Sequence, residues 1–304
     1  MAKLQLIHTV GEDVTARWNG NELFRYVYRS RTPAGESPRP YLHPVRTLAG
    51  ELVTLFRPHD HTWHHGLSMT CANLSGENFW GGATYVRDRG YVQLDNNGRT
   101  EHLAWDDLQG DGAQGRLAER LQWVAHDGEV WLAEQRCIQV SELNPAAGYW
   151  VLAWESRLTN RTSRTLAFGS PTTAGRPLAG YGGLVWRGPR SFTGGSILLA
   201  GSAEGPEVMG RRAPWLAYVG THDGSGAQTT LIFADDPDNV RYPTWWFVRN
   251  DPALASFAFS FDTLLPVEPG AELTLRHRIV IADGAWDRQR IEDSMRQRRI
   301  ESSE

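Results

Sequence analysis

Asp127-Gly128 divides two runs, 118–126 and 129–140, in which apolar and polar residues alternate. A period of two places successive side chains on opposite faces of an extended chain, and Asp-Gly accepts the backbone angles of a tight hairpin turn. A chain patterned in this way buries a sheet face, not a helical stripe. The pattern recurs. Residues 14–18 and 22–29 flank Asn19-Gly20-Asn21 and place Phe24, Tyr26 and Tyr28 on one face, and 45–47 with 52–56 bracket Ala49-Gly50. Residues 67–74 form an apolar run, and in 149–158 Trp150, Leu152, Trp154 and Leu158 share a face opposite Val151, Ala153, Glu155 and Arg157. Further strands are expected at 215–220, 229–233, 257–261 and 273–281. Only 285–299 reads as a helix, with Asp283 as its cap and Ile291 and Met295 as a short apolar stripe. The glycine-rich 169–195 reads as a long ordered loop or as bulges lining a cleft.

Many short strands with almost no helix predict an all-β fold. Strand runs occupy both halves without a composition break, so one domain over residues 1–304 is expected. A net charge of −4, with Lys3 as the only lysine and the arginines scattered, argues against nucleic acid and membrane surfaces as partners. Cys71 and Cys137 make no disulfide framework or metal spacing. No signal peptide pattern and no apolar segment near the ~20 residues of a membrane helix is present, so a cytoplasmic protein is expected. The oligomeric state has no signature. The 13 tryptophans supply core and flat stacking surfaces of the kind sugar clefts use.

One stretch is unlike the rest. Arg57-Pro58-His59-Asp60-His61-Thr62-Trp63-His64-His65-Gly66 holds four of the ten histidines and a carboxylate. Pro58 blocks a helix and biases Arg57 toward extended geometry. In an extended chain His59, His61 and Trp63 would face one way, with Asp60 and His64 opposite. Three uses compete. Imidazoles can move protons near neutral pH, with His61, His64, His65 and Asp60 as the catalytic candidates. His43, Arg46, Arg176, Tyr181 and Glu155 are then the candidates to hold ligand oxygens or stack on a ring. Alternatively His59, His61, His65 and Asp60 could ligate a divalent transition metal (Zn, Fe or Mn), although the spacing fits no named motif. In the third use, the histidines bond to one another and pin a loop.

Six words in order resemble one family. They are Arg39-Pro40-Tyr41-Leu42-His43-Pro44, Asp60-His61-Thr62-Trp63-His64-His65-Gly66, Phe79-Trp80-Gly81, Gly175-Arg176, Tyr181-Gly182-Gly183-Leu184, and Pro237-Asp238-Asn239-Val240-Arg241-Tyr242-Pro243-Thr244. The family is the bacterial one called methane oxygenase PmoA-like. The membrane monooxygenase subunit of that name spans the bilayer several times, whereas this chain has no spanning segment. The resemblance therefore carries no membrane expectation.

A second set of words is similar in order to aldose mutarotases: Trp63-His64-His65-Gly66, Leu158-Thr159-Asn160, Asp236-Pro237-Asp238-Asn239, and Pro269-Gly270 followed by Leu275-Arg276-His277-Arg278. This similarity implies a galactose-mutarotase-like β-supersandwich of two large antiparallel sheets, here with a short C-terminal helix. The mutarotase catalytic His and Glu are replaced by Ser170-Pro171-Thr172 and Leu231-Ile232-Phe233-Ala234, which argues against mutarotation. The expected function is acid/base chemistry by histidine on a small carbohydrate-like molecule: isomerisation, elimination or hydrolysis. A metal-dependent oxygenase and a non-catalytic carbohydrate-binding protein are the alternatives.

Overall fold

The computed structural model describes residues 3–301 apart from Ala113 and Ser202, so residues 1–2 and 302–304 of the expected domain lie outside the described residues. Two eight-stranded antiparallel sheets dominate the described residues. The first runs, in spatial order, Leu4–Thr9, Asp13–Trp18, Asn21–Val27, Tyr41–Val45, Leu67–Cys71, Gly182–Arg187, Ala253–Phe257 and Trp246–Asn250. The second runs Ser196–Leu199, Trp215–Thr221, Gln228–Asp235, Glu272–Asp283, Tyr149–Asn160, Val130–Asn144, Gln114–Val124 and Arg99–Asp111. The hairpin at Asp127-Gly128 forms as its pattern demands: Val124 pairs with Val130, and the Gly128 amide donates to the Ala125 carbonyl at 3.0 Å.

The inner faces of the two sheets meet in one large apolar core. Trp123, Trp150, Trp154, Trp186 and Trp246 are all buried there, so much of the tryptophan content is packing between sheets. Trp150, Leu152, Trp154 and Leu158 share that inner face, as their alternation requires. A buried polar network crosses the same space. The Glu134 carboxylate accepts from Arg136 Nε and Nη2, each at 2.8 Å, from Trp123 Nε1 at 2.7 Å and from the Ser156 hydroxyl at 2.6 Å. Glu119 is held by the Tyr26 hydroxyl and by His102 Nδ1. Each buried charge thus has a charged or hydrogen-bonding partner, the condition for tolerating it in a low-dielectric core.

The outer faces are covered differently. On the second sheet, Ile291 and Met295 of the helix Arg288–Glu301 and the preceding Trp286 pack on Val151, Trp215, Ala217, Ile232 and Val280. The cap is Asp287, whose Oδ1 accepts the Arg290 amide at 2.8 Å. Asp283 is instead the last residue of a strand, which moves the helix start past the expected residue 285. On the first sheet, Val185, Phe247 and Leu254 carry a second apolar layer with Trp80, Phe261, Trp63 and Tyr181, over which the long loops fold.

The structure departs from the pattern where packing overrides alternation. Residues 169–195 are not one loop: Gly182–Arg187 is a central strand between Leu67–Cys71 and Ala253–Phe257. Its Gly183 has φ +78°, and a Cβ there would lie 2.1 Å from the Phe257 carbonyl oxygen, so the close approach of two backbones selects glycine. Of the expected strand 257–261, only Phe257 is in a strand, and a turn from Ala258 to Phe261 follows. Arg99–Asp111 was not marked by alternation. As the edge of its sheet it needs few inward apolar groups, Trp105 being the largest.

Candidate functional site

The histidine stretch is not extended. Phe56 bridges to His65, the Arg57 amide donates to the His64 carbonyl at 2.9 Å, and between them the chain makes two successive turns. The His61 amide donates to the Pro58 carbonyl and the His64 amide to the His61 carbonyl, at 2.9 and 3.0 Å. A turn brings positions three apart together, so His61 and His64 share a side, with ring centroids 4.9 Å apart. The expected split of alternate side chains fails for this reason.

Two buried residues fix the loop. Glu36 receives Arg57 Nε and Nη2 at 2.9 and 2.8 Å and lies 3.2 Å from His65 Nε2. Arg39, fully buried, donates to the carbonyls of Glu36, Ser37, Trp63 and Trp80 and to the Ser68 hydroxyl. One guanidinium therefore ties together the backbones that carry both pocket tryptophans, and burial lowers its pKa to about 9.

These aromatics wall a cavity of about 340 Å³, within the size range of small-molecule sites. Trp80 lies 4.5 Å from Tyr181, Tyr181 5.3 Å from Phe247, His64 5.3 Å from Trp80 and His61 5.2 Å from Trp63, centroid to centroid. Arg176 and Arg249 line it as well, and Pro252 with Leu254 closes the strand side. The Tyr181 hydroxyl meets that of Tyr91 at 2.8 Å, and Arg176 donates to the latter. Burial pushes the Tyr181 hydroxyl pKa well above its ordinary value. Burial first, then the charges of His61, Arg187 and Arg39, holds His64 well below the usual histidine range, so its imidazole is neutral at pH 7. Asp60 is brought down to about 2. Its slight burial acts the other way and is outweighed by a backbone hydrogen bond and by Arg190, which donates to it at 2.6 Å. Asp60 Oδ2 lies 3.5 Å from His61 Nδ1, an electrostatic contact longer than a good hydrogen bond.

Of the residues singled out in the sequence, His61, His64, Arg176 and Tyr181 meet at this cavity. His65 points away, between Tyr41 and Phe56 and against Glu36. Asp60 and His59 are exposed, both beside Arg190. His43 bonds the Thr54 hydroxyl at 2.9 Å and Arg46 the Gly50 carbonyl at 3.0 Å, both outside the lining. Glu155 belongs to the outer face of the other sheet, clamped by Arg157 and Arg276 at 2.7 and 2.8 Å. His59, His61, His65 and Asp60 do not converge, and among the described residues no group of three His, Cys, Asp or Glu side chains is placed to hold a metal ion. The residues present do not fit the metal expectation.

Sequence reading missed Tyr91, Phe247 and Arg249 in the lining and Arg187 and Arg190 beside it. The aromatic run Trp245-Trp246-Phe247 that follows Pro243-Thr244 was the available signal for Phe247.

Over residues 13–296 the chain matches the family of unknown function DUF6807. The chain belongs to this family. No curated protein matches it. Two solved structures are similar at low identity: a GH36 alpha-galactosidase from Geobacillus stearothermophilus in complex with raffinose, 14% identical, and the alpha-galactosidase from Lactobacillus brevis, 11% identical, each with a TM-score of 0.39. They cover 92% and 93% of this chain, which spans only 41% and 40% of theirs.

Proposed function

We propose that this DUF6807 member binds a sugar or sugar-derived small molecule in the aromatic pocket and moves a proton on it through His61 and His64. The observation that carries this reading is the imidazole pair, centroids 4.9 Å apart, on the wall of a cavity whose lining includes Trp63, Trp80, Tyr181 and Phe247. Flat aromatic faces suit the C–H faces of a sugar ring, and a few polar groups among them orient it. Words 60–66, 79–81, 175–176 and 181–184, which carry the PmoA-like resemblance, each contribute lining residues.

The two imidazoles take different roles. His64, held neutral by burial, donates or accepts a hydrogen bond at a ligand oxygen without becoming charged. His61 accepts the proton at Nε2, while Asp60 beside Nδ1 orients the ring and balances the arriving charge. Isomerisation and elimination, which abstract a proton next to a carbonyl, suit this set. Glycoside hydrolysis by a carboxylate pair does not, because no Asp or Glu is among the lining residues. The same absence favours a second reading, a carbohydrate-binding protein without turnover.

The test is proton exchange. The protein is incubated in D2O with a panel of aldoses, ketoses and sugar acids and followed by NMR and mass spectrometry. Deuterium entering beside the carbonyl, or loss of water, in the wild type but not in His61→Ala supports the enzyme. Binding with no conversion of any bound sugar supports the second reading, and equal exchange by His61→Ala removes the assignment.

A further inference from the structure

We propose that the pocket selects a sugar derivative bearing an anionic group, held by Arg187, Arg176 and Arg249; this rests on the carbohydrate reading above. Arg187 ends the central strand Gly182–Arg187 and is only 1% exposed. Its Nη1 donates to the Ala253 carbonyl at 2.9 Å, and its Nε and Nη2 are buried without a partner. A guanidinium has five N–H donors and no acceptor, so leaving two of its nitrogens unmet in a dry environment is costly unless something binds there. The residues on either side of that Ala253 carbonyl, Pro252 and Leu254, line the pocket, and Leu254 is the register partner of Arg187. The Arg187 charge bears on both His64 and Asp60. Asp60 makes no ion pair with it and is paired instead with Arg190 at 2.6 Å.

The other polar groups point the same way. His64 Nδ1 is also buried without a hydrogen bond, whereas His61 Nδ1 faces Asp60 at 3.5 Å. Arg176 contacts Tyr91 by hydrogen bond and ring stacking, and Arg249 lies over the Phe247 ring at 5.4 Å. Among the described residues neither makes an ion pair. Two guanidinium groups in the lining, Arg187 as register partner of the lining residue Leu254, and no lining carboxylate leave positive charge for the ligand to answer. Planar guanidinium donors match carboxylate and phosphate oxygens, whereas a neutral sugar offers only uncharged oxygens.

The experiment measures binding of glucose, glucuronate and glucose 6-phosphate to the full chain by calorimetry at low and high salt. At least one anionic probe is expected to bind about tenfold or more tightly than glucose. That preference shrinks with salt and disappears in the Arg176→Gln/Arg249→Gln double variant, whose side chains lie at the surface and whose folding is checked by circular dichroism. Tighter glucuronate identifies a carboxylate and tighter glucose 6-phosphate a phosphate. Glucose binding as well as both anions overturns this proposal and leaves the carbohydrate reading standing. No binding of any probe, alongside no hit in the sugar panel, overturns both. Arg187→Gln gives an independent check: a folded variant that keeps the full anion preference removes Arg187 from the site.

Discussion

Arg57 grips Glu36 with two hydrogen bonds of 2.9 and 2.8 Å, and His65 Nε2 lies 3.2 Å from Oε2 of the same carboxylate. The loop that carries His61 and His64 is thus anchored at both ends of its excursion to one buried acid. Glu36→Gln keeps the shape but removes the charge and one acceptor. The expected result is a lower melting temperature and weaker binding of any pocket ligand, read by calorimetry. An unchanged melting temperature with unchanged affinity would show that the loop holds itself.

Gly81 meets Trp63 at close range. With φ +102°, a Cβ would lie 2.6 Å from both the Glu36 carbonyl oxygen and Trp63 Cβ. Gly81→Ala should therefore push Trp63 out of the wall and abolish ligand binding. Gly76 has a similar φ of +98° with nothing within 4 Å of its Cβ position, so Gly76→Ala carries the backbone strain without the clash. Tryptophan fluorescence and affinity are expected to change in the first variant and not in the second.

Glu134→Gln strikes the buried network. It leaves Arg136, 2% exposed, without its ion-pair partner. Breaking one side of a buried pair costs about 3–5 kcal/mol, so the urea midpoint should fall steeply. A loss below about 1 kcal/mol, the scale of an exposed pair, would mean that the network is hydrated.

The pH profile follows from neutral histidines. Burial first, then Arg46 and Arg25, lowers His43 to about 4 from 6.5, and burial first lowers His64 and His65 as well. Between its folded and unfolded values each such group binds fewer protons folded than unfolded, so stability rises with pH across that window. The stabilisation is complete above about 6.5 and is lost as pH falls toward 4. Urea midpoints at pH 4.5, 5.5 and 7 should increase in that order. A flat series would place these histidines in contact with water.

The legibility of the fold tracks how local its cause is. The hairpins around Asn19-Gly20 and Asp127-Gly128 and the inward tryptophans of Tyr149–Asn160 are written in alternation and turn chemistry, and the structure has them. Gly182–Arg187 was hidden because a strand buried on both faces between two others does not alternate, and its glycines answer to the Phe257 backbone rather than to their neighbours in sequence. Arg99–Asp111 was hidden for the opposite reason, being a sheet edge with little to bury.

The candidate site divides in the same way. Residue chemistry alone marked 57–66 as unusual and offered imidazoles, arginines and aromatics as candidates for a site. Which of them meet depended on turns closed by backbone hydrogen bonds and on Glu36 and Arg39, whose roles arise only when distant segments are in contact. That is why His61 and His64 face the pocket while His65 faces Glu36 one residue later, and why Glu155, on an equally charged strand, lies on another sheet. Sequence by itself determined an all-β chain, because alternation is a local property of the backbone, and the two large sheets that the mutarotase similarity implied are the ones the structure has. Only the tertiary structure decided the site, because convergence of side chains is set by which loops cover the outer face of the first sheet.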